Sequence, residues 1–332
     1  MNSRIIASLC LFAIAALLVA GCTQPPAKSN LTEIRIGYQP STHQVAEMIA
    51  MDKGWFKQDL APYGITNISD YLFPSGPPEM QAMLANQLDV AYVGAAPVLT
   101  AVATGLDAKI VAGVNTQGSD LVIRTGLNYT GPRSLIGLKI ATFQPGSIQD
   151  TILRDWLKNN GVDPEKDVGI LGMGPGDAVT AITAGKVDAV FLPHPSPSVI
   201  EANGKGKIIV HSGEMYPDHT CCVLVASGKL IREHPDIVTQ IVKTHIRASE
   251  FAANKSNLDE TAGIYARKNS ANVDEIRKSL QEWDGTFVTD PNVIIKSVLD
   301  YAKIQYELGY IKTPLTQDQL FDLSFYQKAK SS

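Results

Sequence analysis

Cysteine is scarce in this chain, with 4 among 332 residues. That is too few for the disulfide framework on which small secreted domains depend. Positive charge is not in excess either: the formal net charge is −4, and nothing resembles the basic face of a nucleic-acid-binding domain. Past residue 20 no apolar run reaches the about 20 residues of a spanning helix, which excludes a polytopic membrane protein. What is present is ordinary globular composition, 45% apolar and 19% charged. Such a chain is neither disordered nor collagen-like, and its length suits about two domains with a core in each.

The first apolar run, Ile5 to Ala20 after Arg4, is shorter than the about 20 residues of a spanning helix. A basic start, a short apolar stretch and small residues at its end mark a secretory signal. It closes as Val19-Ala20-Gly21-Cys22, which resembles the lipobox of exported lipoproteins. The resemblance implies cleavage before Cys22 and a lipid on its sulfur; the alternative is an uncleaved anchor helix ending in a chance cysteine. Residues 1–22 therefore read as a signal peptide with its lipobox cysteine. Residues 23–30, with two prolines, read as a tether. The expected location is exported, at the outer face of the cytoplasmic membrane, where one acyl chain alone would hold only weakly.

With Cys10 removed and Cys22 committed, Cys221 and Cys222 remain. They open an apolar run to Ala226 that reads as a strand, so their side chains are expected on opposite faces. His219 stands two residues earlier and leaves a soft-metal site open, but no second ligand pair has matching spacing. Buried structural thiols are the plainer reading.

From Glu33 onward short apolar runs alternate with helical spacing. Glu33 to Tyr38 reads as a strand and His43 to Leu60 as a helix; strand-like runs follow at 89–93, 109–114, 121–124, 139–143, 168–171, 188–192, 207–210 and 221–226. Past Leu230 the pattern is mostly helical, over 236–253, 273–283 and 292–308. This order predicts an α/β fold with largely parallel sheets.

Two internal echoes sharpen that reading. Ala85-Asn86-Gln87-Leu88-Asp89-Val90-Ala91-Tyr92 returns as Ala184-Gly185-Lys186-Val187-Asp188-Ala189-Val190-Phe191. Gly37-Tyr38-Gln39-Pro40-Ser41 likewise returns as Phe143-Gln144-Pro145-Gly146-Ser147. Each Gln-Pro turn follows a strand and precedes a helix, where ligands of open α/β sheets collect. Helix N-termini offer unpaired N–H groups that suit an anion. Ser41 and Ser147 are either N-caps or hydroxyls aimed at that ligand.

These pieces, taken in order, resemble the solute-binding proteins of nitrate, sulfonate, taurine and bicarbonate ABC importers. The residues that carry the likeness are the lipobox, Gly37-Tyr38-Gln39, Gly54-Trp55-Phe56, Leu88-Asp89-Val90-Ala91 with Gly94-Ala95-Ala96-Pro97, Lys139-Ile140-Ala141 with Pro145-Gly146-Ser147, Gly185 to Ala189, and Cys221-Cys222-Val223. It implies a type II periplasmic-binding fold, two Rossmann-like lobes joined by a two-strand hinge. Lobe 1 would combine 31–125 with 222–332, and lobe 2 would span 126–221. A small anionic solute would bind in the cleft and pass to a membrane permease driven by a cytoplasmic ATPase, with the chain a monomer and no cofactor. Ligand positions carried over are Tyr38, Gln39 and Ser41, then Gly94, Ala95 and Ala96, then Gln144, Gly146 and Ser147. Gln117 is either a cleft residue or a turn residue. His194 stands where the family often has a carboxylate, and is either a ligand group or a loop histidine.

Enzyme readings are weaker. No nucleophile elbow is present, and Gly172-Met173-Gly174-Pro175-Gly176-Asp177 lacks the Lys-Ser/Thr ending of a phosphate loop. Some relatives resemble thiamine-pyrimidine synthases, but their cysteine-rich iron motif is missing here. A receptor for a thiamine-pyrimidine precursor is a further alternative, with Tyr38, Tyr92, Phe143 and Phe191 as the rings to stack on it.

Overall fold

The computed structural model describes residues 31–331; the signal peptide, Cys22 and the tether fall outside the described residues. The strands are β1 (Glu33–Tyr38), β2 (Asn67–Leu72), β3 (Val90–Gly94), β4 (Ala108–Thr116), β5 (Ser119–Arg124), β6 (Lys139–Thr142), β7 (Gly169–Gly172), β8 (Ala189–Pro193), β9 (Gly206–His211), β10 (Thr220–Ser227) and β11 (Thr286–Phe287). They form one sheet in the order β11-β4-β10-β3-β1-β2 and another in the order β7-β6-β8-β5-β9.

Both sheets follow one plan. A parallel trio, β2-β1-β3 or β7-β6-β8, is flanked by an antiparallel strand, β10 or β5. The flanking strands are exchanged: β5 follows β4 of the first sheet in sequence but pairs in the second, and β10 follows β9 of the second but pairs in the first. Two crossings therefore join the sheets, as a two-strand hinge requires. The expected boundary at 125/126 would leave β5 with the first sheet, whereas β5 pairs with β8 and β9. Likewise β10 begins at Thr220, ahead of residue 222. Apolar runs mark strands but carry no label for their sheet, so the partner had to come from tertiary pairing.

The longer helices include α1 (Val45–Asp52), α2 (Ala95–Ala103), α3 (Ile148–Asn159), α4 (Pro235–Ala253), α5 (Leu258–Asn269), α6 (Val273–Glu282) and α7 (Ile295–Glu307). The single helix expected over 43–60 is broken. Gly54 takes a left-handed φ of 66°, and a separate helix, Trp55–Leu60, starts after it. Strands β3 and β8 are buried at every residue, as runs covered on both faces should be. Among the described residues no helix is long and apolar enough to cross a membrane.

The first crossing turns on Gln117 and Gly118, at φ 53° and 88°. A Cβ on Gly118 would lie 2.5 Å from the Trp283 ring and 2.7 Å from His43 Nε2. Gly118→Ala should therefore lower unfolding free energy by about 2 kcal/mol from backbone strain and overpacking. A urea denaturation midpoint equal to the parent's would contradict this.

Candidate functional site

The Gln-Pro turns follow β1 and β6, and β3 ends at Gly94, the N-cap of α2, so three strand ends converge on the line between the sheets. There they enclose a cavity of about 10 Å³, room for about one water. Gln39, Ser41, His43 and Gly94 line it from the first sheet; Phe143, Ile148, Gln149 and Pro193 line it from the second. Cys221 and Cys222, on the crossing strand β10, close the floor. No lysine or arginine is on the wall. The polar surface is neutral donors plus the first turns of the short 3-10 helix Thr42–Gln44, of α2 and of α3.

Of the expected ligand residues, Gln39, Ser41 and Gly94 reach this cavity. Gln39 is fixed by donating twice: its backbone N–H donates to Gln44 Oε1 at 2.6 Å and its Nε2 to Glu79 Oε2 at 2.7 Å. Burial raises the Glu79 carboxyl well above its ordinary value. The Ser41 side chain caps nothing, which leaves its hydroxyl to the cavity. Ala95 and Ala96 are buried in the first turn of α2, and Gln305 Nε2 donates to the carbonyls of both Ala96 and Gly146.

Others serve the frame. Ser147 caps α3, accepting from Asp150 N–H. Gln144 Oε1 accepts from Ser75 across the seam at 2.5 Å. Gln117 pins both crossings, donating to the Asp284 carbonyl at 2.6 Å while its Oε1 accepts from Asp218 N–H. The Tyr38 ring lies under Lys268 Nζ at 4.5 Å, and that ammonium is paired with Asp70 and Glu47.

His194 is a buried latch. Its Nε2 donates to Asp120 Oδ2 at 2.7 Å, Ser279 and Ser198 hydroxyls stand at Nδ1, and its carbonyl accepts from Thr42 N–H across the seam. Burial works against the Asp120 carboxylate, but hydrogen bonds from His194 and His211 hold it below its ordinary value. The same bond to Asp120 raises His211 to about 9.

Two polar wall residues, Gln149 and His43, were not among the expected ligand positions. Gln149 Nε2 donates to Ser119 Oγ at 3.0 Å; its signal was its place two residues into the helix that Ser147 caps. His43 follows the Ser41 turn by the same interval. The thiols also sit differently from expectation. Cys221 has no β4 partner, because the register slips on either side of Cys222, and this bulge turns both sulfurs to the same cavity wall, 3.8 Å apart. Asn115 mends the gap, its Oδ1 accepting from Cys222 N–H. His219 points elsewhere, to Tyr301.

The model of the NMT1-like family matches residues 27–266. A putative aliphatic sulfonates-binding protein of Bacillus subtilis is 28% identical over 94% of this chain and 93% of its own length. Among solved structures, the alkanesulfonate-binding protein SsuA of Xanthomonas axonopodis pv. citri, bound to MOPS, has a TM-score of 0.77 at 19% identity, covering 88% of this chain and 99% of that one. The periplasmic nitrate-binding protein NrtA of Synechocystis PCC 6803 has a TM-score of 0.78 at 16% identity, covering 91% and 89%. At those identities the likeness is one of fold.

The Asp120–His211 pair makes stability pH-dependent. A histidine raised in the folded state adds stability in full below its unfolded value of about 6.5 and loses it as pH climbs toward 9. Glu47, raised by burial to about 8, weakens the fold over an overlapping window, so the parent is the necessary reference. His211→Ala should flatten the fall in denaturation midpoint between pH 6.5 and 9; parallel curves for variant and parent would refute the pair's contribution.

Proposed function

We propose, from the premise that the chain belongs to the NMT1-like family, that it is the extracytoplasmic solute-binding component of an ABC importer for a small organic anion of the sulfonate class. The observation that carries this reading is the seam wall: helix first turns and neutral amide and hydroxyl donors converge there with no side-chain cation. Such a wall stabilises an anion through N–H groups and helix dipoles, without burying a counter-charge. The sulfonate class rests on the curated relative and on the solved SsuA fold; nitrate and bicarbonate are runners-up of the same charge.

The cavity of about 10 Å³ is too small for any of these, so admission requires the two sheets to part about the Gln117–Gly118 and Met215–Thr220 crossings, and closure buries the solute. The closed form is then what the permease and its ATPase accept. Cys22, acylated, and the tether to residue 30 would hold the receptor at the outer membrane face.

A pyrimidine-precursor receptor finds less support. Tyr92 and Phe191 are fully buried in the core, Tyr38 is covered by Lys268, and Phe143 is left as the ring on the wall. The relatives and solved structures named above are binding proteins, which weighs against a synthase.

Thermal melting of the chain from residue 23 onward, against alkanesulfonates, taurine, nitrate, bicarbonate and a thiamine pyrimidine, tests the reading. A ligand at 100 times its Kd adds about 2.7 kcal/mol. An alkanesulfonate should shift the midpoint, and Gln149→Leu, which removes a wall donor, should weaken that binding at least tenfold. A shift with the pyrimidine alone would overturn the anion assignment.

A further inference from the structure

One nitrogen and two sulfurs on the cavity wall form a group that the proposed anion site does not use. His43 Nε2 lies 2.6 Å from the Gly118 carbonyl oxygen. A carbonyl only accepts, so Nε2 carries the proton and Nδ1 is left facing Cys221 Sγ at 3.2 Å. Metal-binding histidines are held in this way, with the far ring nitrogen donating to a backbone carbonyl that fixes tautomer and orientation.

The donor geometry matches a small, soft ion. His43, Cys221 and Cys222 offer donors that all lie within 4.8 Å of one another, all in buried residues. Two thiolates bound at about 2.3 Å to one tetrahedral zinc stand about 3.8 Å apart, and the two sulfurs here are separated by 3.8 Å. The bulge in β10 is what produces that spacing, since a regular ladder would send the sulfurs to opposite faces. Gln44 and Gln149 direct their Nε2 groups at the sulfurs of Cys222 and Cys221 from 3.6 and 3.9 Å, as outer-shell donors to thiolates would.

We propose that His43, Cys221 and Cys222 form a binding site for a thiophilic divalent cation of the zinc type, with the fourth tetrahedral position open to the seam cavity. Softness excludes calcium and magnesium, which take oxygen ligands. Charge decides the valence: two thiolates and one imidazole neutralise a divalent ion, whereas a monovalent one would leave net negative charge buried with no cation on the wall. On binding, each sulfur exchanges its proton for a bond to the metal, Nδ1 donates its lone pair, and both protons pass to solvent. The ion enters when the sheets part and is enclosed when they close.

The test uses the full chain, reduced, stripped with a chelator, and titrated with Co²⁺ or Zn²⁺ alone. One equivalent of Co²⁺ should produce a thiolate-to-cobalt charge-transfer band that Zn²⁺ bleaches, and Zn²⁺ should raise the melting midpoint. Cys222→Ser and His43→Asn should each weaken zinc binding at least tenfold. No charge-transfer band and no shift would overturn the site. Should either variant fail to fold, zinc-edge X-ray absorption of the unsubstituted chain decides: two sulfurs at about 2.3 Å and a nitrogen at about 2.0 Å are expected, and a shell of oxygen and nitrogen alone would refute it.

Discussion

The carbonyl oxygen of Gly118 accepts two hydrogen bonds, from His43 Nε2–H at 2.6 Å and from His194 N–H at 3.1 Å. His43 belongs to the turn after β1, His194 to the end of β8, and Gly118 to the strand crossing between them. One buried acceptor thus joins both sheets to the hinge. Leaving a partner unmade there would cost the desolvation of a buried polar group, about 1–3 kcal/mol. The contact also dictates its own residue, because the left-handed φ and the approach of His43 and Trp283 leave no space for a side chain.

Around that point the seam is closed by further bonds that run from one sheet's elements to the other's. Ser75 reaches Gln144, Thr42 reaches the His194 carbonyl, Gln305 spans Ala96 and Gly146, and Asp284 accepts from the backbone N–H of Gly213. Most are single, neutral hydrogen bonds, each contributing about 1 kcal/mol net. A closure made of many modest terms can be opened by water and remade around a solute, whereas one large buried ion pair would resist both.

Much of this was legible in the sequence because it is local. The strand–Gln–Pro–helix echo at residues 37–41 and 143–147 marked the two turns that face each other, and the second echo marked β3 and β8 as equivalent buried strands. The exchange of β5 and β10 was not legible, since an apolar run looks alike whichever sheet receives it. Nor was the placement of the thiols: side-chain alternation assumes an unbroken ladder, and at the slip around Cys221–Cys222 Asn115 supplies the missing acceptor. Ser147 kept its local role as a cap, while Gln149, with no motif to announce it, holds the place on the wall. His194 was readable as a departure from the family pattern, but its partners Asp120 and Ser279 come from distant segments.

Solute held between the sheets, as proposed, is touched from both sides, and hydrogen–deuterium exchange with and without a stabilising alkanesulfonate would show it. Exchange should slow at amides of 39–44 and of 143–149 together, with the crossings at 117–119 and 220–222 protected in step. Protection confined to one of those turns, or appearing on a surface away from the seam, would contradict it.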